Sequence, residues 1–88
     1  MHITFVKKIL AGGMPCAHCR DVENRLRAEG LWPRIDAVLE IADDDPEGDG
    51  ATLARAHGVR SAPFFVVREA GEIRLYTRYA QFVAEALS

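Results

Sequence analysis

Apolar residues in this chain come in short blocks separated by glycine, proline and charge, and the period within each block selects an element. Ile3 to Leu10 is β-branched and apolar apart from Lys7-Lys8 and stops at Gly12-Gly13, which predicts a strand and a loop. Pro15 then precedes a helix expected over Cys16 to Glu29, because Cys19, Val22 and Leu26 recur at i, i+3, i+7 on one face. Asp21, Arg25 and Glu29 stand four apart on the outer surface, as do Glu23 and Arg27, and Gly30 ends the helix. Ile35 to Ile41 is almost continuously apolar, as a strand covered on both faces is. A strand, helix and strand in this succession predict a right-handed, parallel βαβ unit.

The acidic stretch Asp43-Asp44-Asp45-Pro46-Glu47-Gly48-Asp49 follows. It lacks the bidentate glutamate that a calcium loop needs, so it is read as a solvated loop. Its Asp49 is expected to cap a short helix, Ala51 to His57, that Gly58 terminates. Phe64 to Arg68 and Glu72 to Tyr76, joined at Glu69-Ala70-Gly71, predict an antiparallel hairpin. Tyr79, Phe82, Val83, Ala86 and Leu87 repeat at i, i+3, i+4, i+7, i+8, the cleanest helical period in the chain. The order β-α-β-α-β-β-α belongs to the α/β class.

Eighty-eight residues fit one domain, 1–88, and 49% hydrophobic with 27% charged residues is an ordinary globular balance. Eleven basic against 13 acidic side chains leave a formal charge of −2, which offers no field to hold nucleic acid. Met1-His2-Ile3-Thr4-Phe5-Val6 lacks the features of a signal peptide, and no apolar run approaches the ~20 residues that span a bilayer. A cytoplasmic protein is therefore expected, with no membrane partner. In that compartment a cysteine pair means redox catalysis or metal more often than a structural disulfide.

The two cysteines both fall in Cys16-Ala17-His18-Cys19. Spacing alone fits a closing disulfide or a shared metal. A structural zinc needs four ligands, and His2, His18, His57 and the carboxylates supply no second spaced pair, so no metal is expected. Cys16 falls where a helix begins, beside unpaired N–H groups and the positive end of the dipole, which stabilise a thiolate. Cys19 lies one turn deeper on the buried face and suits a resolving thiol. His18 between them would favour the thiolate when protonated, or is a solvated residue of the first turn. Arg20 steers anionic substrates or joins surface ion pairs, and Trp32 beside Pro33 anchors a loop as partial core. In the second constellation, Gly58-Val59-Arg60-Ser61-Ala62-Pro63-Phe64-Phe65, the proline marks a strand start, with an Ala62–Pro63 bond that is either trans or cis.

A Cys-x-x-Cys after a first strand, then x-Pro opening a hairpin, then a helix, resembles the thioredoxin superfamily in its short, glutaredoxin-like form, over essentially all 88 residues. Ala56 to Phe64 and the later Gly71-Glu72 are similar to the thioredoxin Tyr-Gly-Ile-Arg-x-x-Pro-Thr and Lys-x-Gly-Glu segments. The resemblance implies a mixed four-stranded sheet flanked by helices, a cis Pro63 packed beside the cysteines, and an Ala62 backbone that hydrogen-bonds an incoming peptide or glutathione as an added strand. It implies a thiol–disulfide oxidoreductase that reduces protein or small-molecule disulfides through Cys16 and Cys19, with no bound cofactor and with glutathione or a flavoprotein reductase as electron donor. Its partner would be a disulfide-containing protein, and a monomer is the expected state.

The departures from that pattern concern the reductant. Ala17-His18 replaces the glutaredoxin Pro-Tyr, Gly12-Gly13-Met14-Pro15 stands where a lysine is expected, and Ser61-Ala62-Pro63 replaces Thr-Val-Pro. Tyr76-Thr77-Arg78-Tyr79 replaces the Gly-Gly-x-x-Asp that holds glutathione; there Thr77 is a candidate helix cap and Arg78 a candidate contact for a substrate carboxylate. Met14-Pro15 replaces the thioredoxin tryptophan, and no acidic residue precedes Cys16. An iron–sulfur-binding module, dimeric through Cys16 and external thiols, and a partner-specific adaptor are the competing readings.

Overall fold

A computed structural model describes residues 1–42 and 44–87. Strand β1 (His2–Ile9) is followed by helix α1 (Ala17–Ala28), strand β2 (Ala37–Ala42), helix α2 (Asp49–Ala56), the hairpin β3 (Phe64–Glu69) and β4 (Glu72–Tyr76), and helix α3 (Tyr79–Phe82), which continues as a π-helical turn over Val83–Leu87. The sheet order is β2-β1-β3-β4. β2 pairs in parallel with β1, as a right-handed helical crossover requires, while β1–β3 and β3–β4 are antiparallel. The sheet is thus mixed, with β1 and β3 at its centre.

Alternation along the strands divides the core in two. Ile3, Phe5, Phe65, Val67 and Tyr76 face α1 and α3, where they meet Val22, Leu26, Phe82 and Ala86. Phe65 and Phe82 stack at 3.8 Å between centroids, and Phe5 meets Trp32 edge-on at 6.0 Å. The five positions of the last helical period all turn inward, although the backbone there widens into a π turn. Val6, Phe64 and Val66 face the other way and pack on Ala54 of α2.

Three expectations are corrected. β2 is not covered on both faces: it is an edge strand in which half-buried and exposed residues alternate, Val38 being 40% exposed. Its apolar run reflects packing on one face, with Ile35 inserted into the core from the preceding loop. Strand pairing is delayed to Ala37 because Asp36 engages β1 with side chain and backbone together: Ile3 N–H donates to Asp36 Oδ2 at 2.7 Å, and Asp36 N–H donates to the Ile3 carbonyl at 2.8 Å. Asp49 does not cap α2 but lies inside its first turn, after Gly48. That earlier start brings Gly50 against β2, where a Cβ would stand 2.6 Å from the Glu40 carbonyl oxygen. Thr77 does not cap α3 either, since Arg78 holds the N-cap position and no side chain caps the helix. Asp43 of the acidic loop lies outside the described residues.

The connection expected over Glu69-Ala70-Gly71 is a two-residue turn, because Glu69 belongs to β3; Ala70 and Gly71 both have positive φ (54° and 81°). On the surface of α1 the predicted pairs Arg25–Glu29 (3.3 Å) and Arg27–Glu23 (3.2 Å) form. Arg27 also stacks over Trp32 at 4.3 Å, which supports the partial burial of that ring.

Candidate functional site

The loop between β1 and α1 determines where the cysteines go. Gly12 and Gly13 both adopt positive φ (80° and 79°), conformations that a side chain would resist. They fold the chain back so that Leu10 N–H donates to the Met14 carbonyl at 2.7 Å and Ile9 bridges Pro15. Cys16 N–H then donates to the Lys8 carbonyl at 3.2 Å, which pins the start of α1 to the end of β1.

Cys16 is the N-cap of α1, which begins at Ala17, one residue after the predicted start, and its backbone is extended (φ −63°, ψ 128°). Its carbonyl accepts the Arg20 N–H at 2.9 Å. An N-cap side chain faces the free amides two and three residues on, which here belong to His18 and Cys19. The thiol makes no capping hydrogen bond. The amide of Cys19 is nonetheless the strongest influence lowering the Cys16 pKa, followed by the Cys19 thiol; burial opposes them, and the His18 amide and the positive charge of Lys8 add smaller lowering effects. A sulfur anion gains more from such donors than a thiol does, because its charge engages their dipoles. His18 acts on Cys16 through its backbone N–H; its imidazole is exposed.

Cys19 is the opposite case. It is 1% exposed, and burial pushes its thiol up to about 11, with the neighbouring Cys16 sulfur adding to the rise. The Lys8 N–H donates to Cys19 Sγ at 3.4 Å, a partial offset. Both thiols are free. One sulfur is thus half-exposed and anion-favouring, the other buried and proton-retaining.

Lys8 is the residue that sequence reasoning missed. Its carbonyl, its amide and its ammonium each act on one of the cysteines. In the sequence Lys7-Lys8 reads only as an interruption of an apolar strand. A backbone contact across the Gly12-Gly13 turn leaves no periodic trace.

The Ala62–Pro63 peptide bond is cis, and Pro63 is buried where the chain enters β3. His18, Pro63 and Arg78 line one cleft of about 290 Å³, so the first turn of α1, the proline and the start of α3 meet at a single surface. Ala62 lines a second cavity, of about 300 Å³, together with Lys8. Arg20 is exposed beside Cys19 and lines a third hollow with Glu23. The two cysteines and the proline, 44 residues or more apart in the chain, are brought to one end of the sheet. Among the described residues no group of three histidine, cysteine or acidic side chains is placed to hold a metal ion. No helix among them is long and apolar enough to cross a membrane.

The structure is similar to the solution structure of a thioredoxin from Thermus thermophilus, with a TM-score of 0.51 over 96% of this chain and 70% of that chain, at 22% sequence identity. No protein-family model matches the chain, and no curated protein matches its sequence. The fold is thioredoxin-like: an α/β domain with a mixed four-stranded sheet flanked by helices. The cysteine pair, with two residues between its members, stands where α1 begins and is held to the end of β1 through the Lys8 backbone.

Proposed function

We propose that the protein is a dithiol thiol–disulfide oxidoreductase of glutaredoxin-like size, with Cys16 as nucleophile and Cys19 as resolving thiol. The reading rests on the asymmetry of the pair. The accessible sulfur is the one whose anion the helix terminus favours, and the buried sulfur keeps its proton until it is needed.

In the forward cycle the Cys16 thiolate attacks one sulfur of the substrate disulfide. A Cys16–substrate bond forms, the substrate disulfide breaks, and the second substrate sulfur leaves as a thiolate that takes up a proton. Cys19 then loses its proton and attacks Cys16 Sγ, which forms the Cys16–Cys19 disulfide and releases the other substrate thiol. Two electrons have passed to the substrate. They are returned by glutathione or by a flavoprotein reductase, which leaves both cysteines as thiols again. Ala62 and Pro63 form the docking edge for the substrate backbone, and Arg78 offers a cation to a substrate carboxylate across the cleft that it shares with Pro63.

The test is turnover of a disulfide-bonded protein by three forms of the chain. Cys16→Ser should abolish reduction, whereas Cys19→Ser should accumulate a covalent mixed disulfide visible by mass spectrometry. Wild-type turnover in both variants would eliminate the dithiol mechanism.

A further inference from the structure

The chain carries 13 acidic and 11 basic side chains, yet among the described residues the two clefts beside Ala62–Pro63 do not mix the two signs. Two clefts flank the Ala62–Pro63 step. Arg78 and His18 line the one on the Pro63 side. Lys8, Arg55 and Arg60 line the one on the Ala62 side. Among the described residues no carboxylate lines either cleft. Of the described residues of the acidic loop, Pro46 alone lines the second; its carbonyl accepts a hydrogen bond from Arg55 at 2.6 Å, while Asp44, Asp45 and Glu47 are exposed.

Pairing separates Arg60 and Arg78 from other cations in the chain. Lys7, Arg25, Arg27 and Arg74 each have an acidic partner within 4 Å. Arg60 and Arg78 are exposed, and among the described residues neither forms an ion pair. A guanidinium left without a carboxylate on an acidic protein, at the rim of a cleft, is a ready bidentate site for one brought by a partner. One such group on each side of the docking edge sets a cation on both sides of the chain that lies there.

We propose that the natural substrate is an acidic protein segment, with carboxylate side chains on both sides of its reacting cysteine that engage Arg60 and Arg78. The proposal rests on the oxidoreductase reading above and adds the class of partner. Complementary rim charge acts chiefly on encounter, so it should appear in the second-order rate and weaken with salt.

The experiment uses full-length Cys19→Ser protein and peptides whose single cysteine is joined to thionitrobenzoate. Cys16 displaces the aryl thiol: the Cys16–peptide bond forms as the peptide–aryl disulfide breaks, and thionitrobenzoate leaves as a coloured thiolate. Three peptides differ only in their flanks, Glu, Gln or Lys on both sides. The expected order is Glu, then Gln, then Lys, with about a tenfold span at low ionic strength that contracts at high salt. Arg60→Glu with Arg78→Glu should reverse the order, while an unchanged thermal melt shows that the exposed substitutions leave the fold intact. Equal rates, or a preference for lysine flanks, would overturn the proposal. So would faster reaction with glutathione disulfide than with the Glu-flanked peptide, which would assign the clefts to a small anion. If wild-type protein turns over no disulfide but the flank order persists in this assay, the partner class stands and the oxidoreductase reading falls.

Discussion

At neutral pH an alkylating reagent should find Cys16 and leave Cys19 almost untouched, and the ratio of rates follows from the site. A thiol held at about 11 is only about one part in 10⁴ thiolate at pH 7, because each pH unit below the pKa costs a factor of ten. A thiol at the ordinary value of 9.0 is about 1% ionised there, and Cys16 lies below that value, so the thiolate populations differ by more than about 100-fold. The more acidic sulfur is the weaker nucleophile once ionised, which returns about a factor of eight for ~2 units of separation. The net preference for Cys16 is then above about tenfold from ionisation alone. The burial of Cys19, which is 1% exposed, adds to it. Iodoacetamide at pH 7 under reducing conditions, quenched over time and mapped by peptide mass spectrometry, reads both rates at once. The Cys16 rate should level off with rising pH below the free-thiol value, while that of Cys19 keeps climbing towards pH 11. Equal labelling at pH 7, or earlier labelling of Cys19, would refute the assignment of the helix terminus as the source of the asymmetry.

Two further outcomes test the packing. The raised Cys19 pKa favours the folded state while the thiol is protonated, so this contribution is complete below the unfolded value near 8.5 and is lost as pH rises through about 11; it is worth about 3 kcal/mol. Urea melts across that range should show the loss in wild-type protein and not in Cys19→Ala. Gly50→Ala should destabilise by about 1–3 kcal/mol, because the overlap with the Glu40 backbone outweighs the ~1 kcal/mol that alanine gains in a helix. A rise in melting temperature would show that α2 can move off the sheet at no cost.

What could be read in the sequence differs between elements for physical reasons. The helix with Cys19, Val22 and Leu26 on one face, the β3–β4 hairpin and the inward face of Tyr79–Leu87 are all encoded by near neighbours in the chain, and each formed where its period placed it. β2 misled because an apolar run says how much surface wants burial and not how many layers will cover it. Asp49 misled because cap preference is worth about 1 kcal/mol, which the approach of Gly50 to β2 readily overrides. The π turn at Val83–Leu87 has no signature in a pattern that fits an α-helix equally well.

At the site the division is similar. The sequence alone determined that two cysteines sit one turn apart at a helix start, and that a proline opens an apolar strand downstream. Local spacing fixes both, because a helix terminus and a strand start are properties of contiguous residues. Only the tertiary structure decided that the Gly12-Gly13 turn returns Cys16 to Lys8, that burial raises one thiol while the helix amides lower the other, and that, among the described residues, the clefts beside Ala62–Pro63 are lined by basic side chains and by no carboxylate. Those properties depend on which distant groups share a small volume, and sequence separation carries no record of that.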